Sequence, residues 1–405
     1  MNDADVIILG GGLVGSALAV ALDAHGLSTI VIDPADPQVF LAAGFDGRAS
    51  AIASATHAMF DAIGISARLA GQGCPIRAIR VSDGLAPGKL DFEPAPADGF
   101  LGVMYENKLL RRALYEAASA APLVDLRTQR RPVDVDRGEF GATVTLDDGA
   151  VLRAPLVIAA EGRNSPMREA AGIRVARWRY DHVAMISAFN HEQPHGNIAY
   201  EIFYPAGPFA LLPLNDDANG HRSAIVWTVD AADAPAMLKL SDRAWLAEAK
   251  QRMGGFLGEL GPLSARSSYP LGFHHAATIT AQRLALVGDA GHGIHPIAGQ
   301  GLNLGLRDVA TLVEVLVEAK RTGLDLGDAR TLARYERWRG LDTFMVALAT
   351  DSLTRLFGIP GRTASAVRRF GISAVNRVAP LKNRFMAEAR GESGQRPKLL
   401  LGELA

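Results

Sequence analysis

The opening of the chain contains the pattern that most restricts its fold. Residues 6–9 are four consecutive apolar residues, typical of a strand that is buried on both faces of a parallel sheet. A G-x-G-x-x-G pattern follows at residues 10–15, and the apolar residues after it recur at helical spacing until Gly26. Residues 28–32, apolar from Ile30 to Ile32, are typical of a second strand, which ends at Asp33. The sequence therefore predicts a strand, a glycine turn, a helix and a second strand.

Each glycine of this pattern has a physical role in binding a dinucleotide. Gly10 permits the tight turn, Gly12 lets the backbone approach a pyrophosphate, and Gly15 allows the helix to pack on the strand. The pyrophosphate would accept hydrogen bonds from free N–H groups at the positive end of the helix dipole. Asp33 stands where a carboxylate accepts hydrogen bonds from ribose hydroxyls. Because these features occur together, we interpret them as a dinucleotide site rather than an incidental glycine turn.

Composition excludes several classes of protein. The chain has 405 residues, 48% of them hydrophobic, which is enough for two or three domains with a large core. Its formal net charge of -1 provides no overall field that attracts nucleic acid. The single cysteine, Cys74, excludes an internal disulfide, and we expect it to be a small buried residue rather than a nucleophile. No apolar run reaches the ~18 residues of a transmembrane helix, and the first strand begins too early to follow a signal peptide.

The rest of the chain predicts further strands of both kinds. Residues 156–160 and 283–289 are buried apolar runs like the first one, and a long helix is expected from near Gly301. Residues 71–102 and 175–269 contain alternating and aromatic segments, typical of antiparallel strands with one covered face. We also expect helices over residues 48–63, 108–118 and from 329 onward, and a hairpin over residues 133–152.

Three blocks of sequence together resemble one known family. They are the glycine pattern at residues 10–15, E-G-R-N-S-P-x-R at residues 161–168, and G-D-A-G-H-x-x-H-P-x-x-G-Q-G-x-N at residues 288–303. Together they resemble the FAD-dependent aromatic hydroxylases of the para-hydroxybenzoate hydroxylase type. Within that superfamily, H-P-I-A-G-Q-G-L-N-L-G-L-R-D at residues 295–308 is similar to the hydroxylases of ubiquinone biosynthesis, and D-G-R-A-S-A-I at residues 46–52 agrees with this.

The resemblance implies an α/β fold, with a Rossmann-like FAD-binding domain, an inserted antiparallel β-sheet substrate domain and a helical C-terminus. We place the discontinuous FAD-binding domain at residues 1–72, 103–174 and 275–350, the substrate domain at residues 73–102 and 175–274, and the helical C-terminal region at residues 351–405.

The resemblance also implies which residues contact the cofactor. At the ADP half of FAD it places Gly10, Gly12, Leu13, Val14, Gly15 and Asp33. At the phosphates, the ribityl chain and the flavin ring it places Arg48, Arg112, Asp289, Pro296, Gly299, Gly301, Leu302 and Asn303. Glu161 and Gly162 belong to the block that in this family serves both FAD and the reduced nicotinamide. No metal site is expected.

Several of these residues also have a structural interpretation. Arg48 is compatible with a solvated surface charge, and Asp289 with an N-cap of the helix that follows. His292 and His295 lie next to the glycine turn, where each either polarises a bound phenol or is a structural histidine. Glu161 stands where the family usually has aspartate, so its carboxylate extends one bond further than in the family.

The reaction that the resemblance implies is hydroxylation of the aromatic ring of a polyprenyl phenol in ubiquinone biosynthesis. NAD(P)H would be the electron donor, O2 the co-substrate and a flavin C4a-hydroperoxide the oxygenating species. The alternatives are an FAD-dependent hydroxylase of another small phenol and an FAD-binding scaffold of a biosynthetic complex. A flavin halogenase is disfavoured because its W-x-W-x-I-P signature is missing.

The C-terminal region has a strong basic bias. From residue 352 to residue 391 the only acid is Glu388, whereas the basic residues are Arg355, Arg362, Arg368, Arg369, Arg377, Lys382, Arg384 and Arg390. Apolar residues are interleaved with them, which predicts an interfacial amphipathic helix or a tail that binds other ubiquinone-biosynthesis proteins. A basic helix packed on its own domain is equally compatible. We expect a cytoplasmic protein, peripheral at the inner face of the membrane.

Overall fold

A six-stranded sheet made of apolar runs supports the glycine turn. The computed structural model describes residues 2–85, 89–94, 99–293, 299–340, 343 and 379–405. In order across the sheet, the strands are β19 (Thr280–Ala281), β20 (Leu284–Leu286), β12 (Leu156–Ala159), β1 (Val6–Leu9), β2 (Thr29–Asp33) and β8 (Val124–Thr128). All neighbours are parallel except β19 and β20. The central strand β1 is wholly buried, which explains why its residues are apolar without alternation.

Helices cover this sheet. They are α1 (Leu13–Asp23), α4 (Asn107–Ala120), α8 (Gln300–Arg321) and α9 (residues 329–340). The first of them, α1, packs against both α4 and α8, and these helices share one core with the sheet. The shorter helices are α2 (Pro37–Ala42), α3 (Ser54–Ala62), α5 (Pro166–Ala170), α6 (Ala234–Lys239), α7 (Asp242–Met253) and α10 (Ala379–Ala389).

A second large sheet contains nine strands within the described residues. In order, eight of them are β21 (His292–Gly293), β18 (Ser267–Ala276), β13 (Val175–His191), β16 (Gly220–Asp230), β15 (Gly207–Asp217), β14 (Ile198–Tyr204), β5 (Ala78–Asp83) and β6 (Lys89–Phe92). The ninth, β17 (Leu260–Leu263), pairs with β13. Neighbours are antiparallel except β14 and β5. One face packs on α7 through Trp227 and Trp245.

The opposite face of this sheet packs against a smaller one. The smaller sheet has the order β3 (Ala49–Ala53), β7 (Gly102–Glu106) and β4 (Cys74–Ile76). Met104 of β7 and Cys74 form an apolar cluster with Phe203 and Ala224 of the large sheet. A further three-stranded sheet contains β9 (Pro132–Arg137), β10 (Ala142–Leu146) and β11 (Val151–Ala154). We call the face of the large sheet that contacts the β3–β7–β4 sheet the inner face.

Most of the predicted elements are present, but two predictions were wrong. Residues 48–63 are not one helix, because residues 49–53 pair with β7 as a strand and α3 starts only at Ser54. The helices α6 and α7 interrupt the region that the sequence predicts to contain strands alone. The hairpin expected over residues 133–152 is present as β10 and β11, and β9 adds a third strand to it. No described helix has the length and apolar character needed to cross a bilayer.

Candidate functional site

The glycine turn brings the first strand and the first helix into very close contact. Gly10 has a φ of +101°, and a Cβ there would lie 2.6 Å from the carbonyl oxygen of Ala160. A Cβ on Gly15 would lie 1.9 Å from the carbonyl oxygen of Gly10. In contrast, no described atom lies within 4 Å of a Cβ built on Gly12, the N-cap of α1. The turn is therefore tight on its protein side and open at the N-terminus of α1.

Asp33 lies at the end of β2, where the sequence predicts it, and it also supports the glycine turn. Its Oδ2 accepts a hydrogen bond of 2.5 Å from the backbone N–H of Gly11, and its Oδ1 one of 2.7 Å from Ala35. A carboxylate has about four acceptor positions, so two remain for ribose hydroxyls. Its contact with ribose stays a prediction.

The third sequence block meets the first through small residues. Val14 of α1 lies against Gly288 and Gly305, where a Cβ would come within 3.2 Å and 3.0 Å of the valine methyl group. Leu13 and Val14 are partly buried against the main core. Asp289, directly after Gly288, is exposed to solvent but surrounded closely enough that desolvation raises the pKa of its carboxyl. The small residues of the third block thus let it pack directly against α1.

His292 lies in a buried cluster of charged groups. Its Nε2 is 2.5 Å from Oδ2 of Asp308, and the other carboxylate oxygen accepts a 2.7 Å hydrogen bond from Nε of Arg339. Asp308 also accepts a hydrogen bond from the backbone N–H of Gly288. Burial would raise the pKa of Asp308, but His292 and Arg339 outweigh that effect and hold it below its ordinary value. This placement favours the structural interpretation of His292, and a catalytic role remains an untested prediction.

The second sequence block is tied to the third by a fully buried arginine. Nη1 of Arg168 donates 2.9 Å to the carbonyl oxygen of Ala290, and Nη2 donates 3.0 Å to that of Arg163. Oε2 of Glu161 accepts hydrogen bonds from Ser165 (2.5 Å) and from the backbone of Met167 (3.1 Å). Glu161 thus supports the N-terminus of α5, whose N-cap is Ser165, and burial raises the pKa of the Glu161 carboxyl.

The N-terminus of α8 is a second open helix start. Its N-cap Gly299 has a φ of +63°, and no described atom lies within 4 Å of a Cβ on Gly301. The side chain of Asn303 is used inside the protein: it accepts from the backbone N–H of Ala53 and donates to the oxygen of Ala51, at 2.9 Å and 2.8 Å. The side chain of Asn303 therefore anchors the helix, and contact of Leu302 and Asn303 with flavin stays a prediction.

The remaining predicted residues are at different places. The Arg48 guanidinium pairs with Asp46 and is 53% exposed, so both interpretations of it stay open. Arg112 is exposed on α4, with Nη2 at 3.4 Å from the carbonyl oxygen of Leu41. The open backbone at Gly162 has a φ of +83°. His295 and Pro296 lie outside the described residues.

FAD fits this arrangement. A dinucleotide with a pyrophosphate at its centre needs free backbone N–H groups, and the helix starts at Gly12 and Gly301 leave theirs uncovered by described side chains. Asp33 and Asp289 would supply acceptors for hydroxyls of the cofactor, as the sequence predicts.

Comparison with known proteins decides the family. The family described as FAD binding domain matches residues 3–340. The ubiquinone hydroxylase UbiL of Rhodospirillum rubrum is 44% identical over 402 residues, 98% of this chain and 93% of that protein. The 3-demethoxyubiquinol 3-hydroxylase of Escherichia coli is 34% identical, over 96% of this chain and 98% of that protein. The chain belongs to the ubiquinone hydroxylase family of FAD-dependent monooxygenases.

A solved structure agrees with the fold. The p-nitrophenol 4-monooxygenase PnpA of Pseudomonas putida superposes with a TM-score of 0.80 at 19% identity, covering 98% of this chain and all of that one. The predicted α/β fold is thus confirmed, and the match to the FAD binding domain family confirms FAD as the cofactor. The domain boundaries and the individual cofactor contacts stay predictions.

Sequence reasoning missed four residues that organise the site. Arg168 ends the block at residues 161–168 and Asp308 ends the segment at residues 295–308, but the sequence predicts no role for either. Arg222 of β16 forms an ion pair with Glu106 of β7, which joins the large sheet to the smaller one. The charges of two arginines and two acids inside apolar or glycine-rich segments were the available signal. The partners that join them to other elements are 16 to 122 residues away in sequence, so no local pattern reveals them.

Proposed function

We propose that this protein hydroxylates the aromatic ring of a polyprenyl phenol in ubiquinone biosynthesis, with NAD(P)H as electron donor and O2 as co-substrate. The observation that carries the proposal is that the open N-terminus of α8 lies beside the inner face. Asn303 of α8 donates a hydrogen bond to the carbonyl oxygen of Ala51, and Ala51 packs against the apolar cluster of the inner face. An apolar face next to a flavin site suits a ring with an apolar tail. The names of the relatives from R. rubrum and E. coli support this substrate class.

The residues of the chain bind and orient, whereas the cofactor supplies the redox chemistry. When bound, FAD would supply electron transfer from NAD(P)H and the activation of O2. The backbone at Gly12 and the start of α1 would hold the pyrophosphate. The positive end of the α8 dipole would stabilise negative charge on a flavin. The apolar inner face, which includes Phe203 and Ala188, would exclude water from a ring bound beside it.

The test is a product analysis with purified, FAD-loaded protein. With NADH or NADPH, air and 2-geranylphenol, we expect consumption of O2 and a product with one added oxygen atom by mass spectrometry. Phenol without a prenyl group is the matched substrate. Oxidation of NAD(P)H without a hydroxylated product would refute the proposal, and equal turnover of unprenylated phenol would favour the hydroxylase of another small phenol.

We also propose that the protein acts as a peripheral protein at a membrane surface, because polyprenyl substrates partition into bilayers. Most of the basic C-terminal stretch, residues 351–378, lies outside the described residues. The described helix α10 exposes Arg384 and 41% of Phe385 to solvent. We expect the protein to float with anionic liposomes and the double variant Arg384→Glu, Phe385→Ser to float less. Equal flotation of both proteins would contradict the contribution of α10.

A further inference from the structure

An acidic residue, Glu201, lies in an apolar part of the inner face. On β14 it is paired with Ala210 of β15 and with Val81 of β5. Because side chains alternate along a strand, Ala199 and Phe203 project from the same face as Glu201, and both belong to the apolar cluster there. Only 9% of Glu201 is exposed. A carboxyl group is thus surrounded by apolar side chains.

The carboxyl of Glu201 makes no hydrogen bond and no ion pair with the residues that the structure describes, and burial raises its pKa to about 8. Placing a polar group in such a position without a partner costs free energy of folding. Neighbouring cations are engaged elsewhere: Arg222 pairs with Glu106, and Arg80 pairs with Asp91 on the opposite face of the sheet. A buried and titratable group that lacks a partner among the described residues is a candidate functional residue.

The inner face leads from Glu201 to the predicted flavin site. Its apolar cluster continues from β14 to Ala51 of the neighbouring sheet. The carbonyl oxygen of Ala51 accepts a hydrogen bond from Asn303. A Cβ built on Gly299 would lie 3.8 Å from the Cβ of Ala51. Glu201 therefore lies on the same sheet face as an apolar cluster that extends to Ala51, next to the N-terminus of α8.

We propose that Glu201 binds the hydroxyl group of the phenol substrate, with its carboxylate accepting the phenol O–H. This inference rests on the proposed function and specifies which residue recognises the phenol. The phenol provides the partner that Glu201 lacks. A carboxylate that accepts this hydrogen bond also increases the electron density of the ring, which makes the ring a better nucleophile for hydroxylation.

Binding is coupled to release of a proton. Below pH 8 the carboxyl of free protein is largely protonated, and a hydrogen bond to its charged form favours loss of that proton to the solvent. A charge-assisted hydrogen bond lowers the pKa by about one unit or more. At pH 7.5 the protonated fraction then falls from about three quarters to about one quarter, so about half a proton is released per bound phenol.

Other titratable groups on the elements around the inner face must be distinguished from Glu201. They are Asp83 on β5, Cys74 on β4, Tyr269 on β18, Arg222 on β16, and Glu106 and Lys108 at the start of α4. Asp83 is the nearest equivalent, since it is a buried acid two positions from Val81 on the same strand face. It is therefore the matched control.

The experiment is isothermal titration calorimetry of FAD-loaded protein with 2-geranylphenol at pH 7.5, in two buffers of different ionisation enthalpy. We expect release of about half a proton by the wild-type protein. Glu201→Gln should release none, although it has the same shape, and Asp83→Asn should release as much as wild type. The methyl ether, 2-geranylanisole, should bind about tenfold more weakly than the phenol and release no proton.

The outcomes separate this inference from the proposed function. If wild type binds the phenol without proton release, or if Glu201→Gln releases as much as wild type, Glu201 does not bind the hydroxyl. Loss of release in Asp83→Asn alone would assign the role to Asp83 and overturn the inference. If wild type binds neither phenol nor ether, the proposed substrate class fails as well. The measurement on wild type needs no variant, so it holds even if Glu201→Gln folds poorly.

Discussion

Replacing each of two glycines of the same turn by alanine should affect different properties: Gly15→Ala should lower stability, and Gly12→Ala should weaken FAD binding. Gly15→Ala adds a methyl group 1.9 Å from the carbonyl oxygen of Gly10, whereas Gly12→Ala adds one with no described atom within 4 Å. The first change tests the packing of α1 on β1, and the second tests the site for the pyrophosphate.

The magnitudes follow from these distances. To relieve the contact at Gly15, helix and strand must separate by about 1 Å, and overpacking of this kind costs about 1–3 kcal/mol. The struck atom belongs to the backbone and cannot rotate away, so the upper half of that range applies. Alanine regains about 1 kcal/mol of helix propensity. We expect a net loss of about 1–2 kcal/mol for Gly15→Ala and below about 1 kcal/mol for Gly12→Ala, where only an N-cap preference changes.

The assay is urea unfolding of flavin-stripped protein, combined with FAD titration of the refilled protein. Gly12→Ala should keep a nearly normal urea midpoint and bind FAD at least about tenfold more weakly, because its methyl group occupies the approach of the pyrophosphate. Gly15→Ala should show the lowered midpoint. Wild-type FAD affinity in Gly12→Ala, or wild-type stability in Gly15→Ala, would refute the reasoning.

Two further predictions concern buried acids. Asp308→Asn removes the anion that pairs with Arg339 and His292, and it should lower the free energy of unfolding in urea by about 3–5 kcal/mol at pH 7. Because the pKa of Asp308 is lowered below 3.8 in the folded protein, the stability advantage of wild type should shrink as the pH falls below that value. An advantage that stays constant with pH would contradict this prediction. Glu161→Gln keeps an acceptor for Ser165 but removes the charge. Because the pKa of Glu161 is raised above 4.5 in the folded protein, the stability of wild type relative to this variant should fall as the pH rises from 4.5 through the raised pKa. A rise in relative stability over that range would contradict this prediction.

Local patterns were sufficient for the elements at the glycine turn. The strand β1, the helix α1 and the position of Asp33 follow from residues that are adjacent in sequence, and the structure has them where they were predicted. The prediction failed at residues 49–53, because their strand conformation depends on pairing with β7, about fifty residues later. Helical spacing of apolar residues in a short segment does not reveal such a partner.

The amino-acid sequence by itself determined the dinucleotide turn, the apolar strands and the family, because these depend on short-range spacing and on residue types without substitutes, above all glycine. Only the tertiary structure decided which charges meet. Strand register places Glu201 on the inner face and without a described partner, and the packing of α8 and α9 brings Asp308 and Arg339 to His292. The physical reason is that burial and pairing of a charge depend on neighbours distant in sequence, and no local pattern contains them.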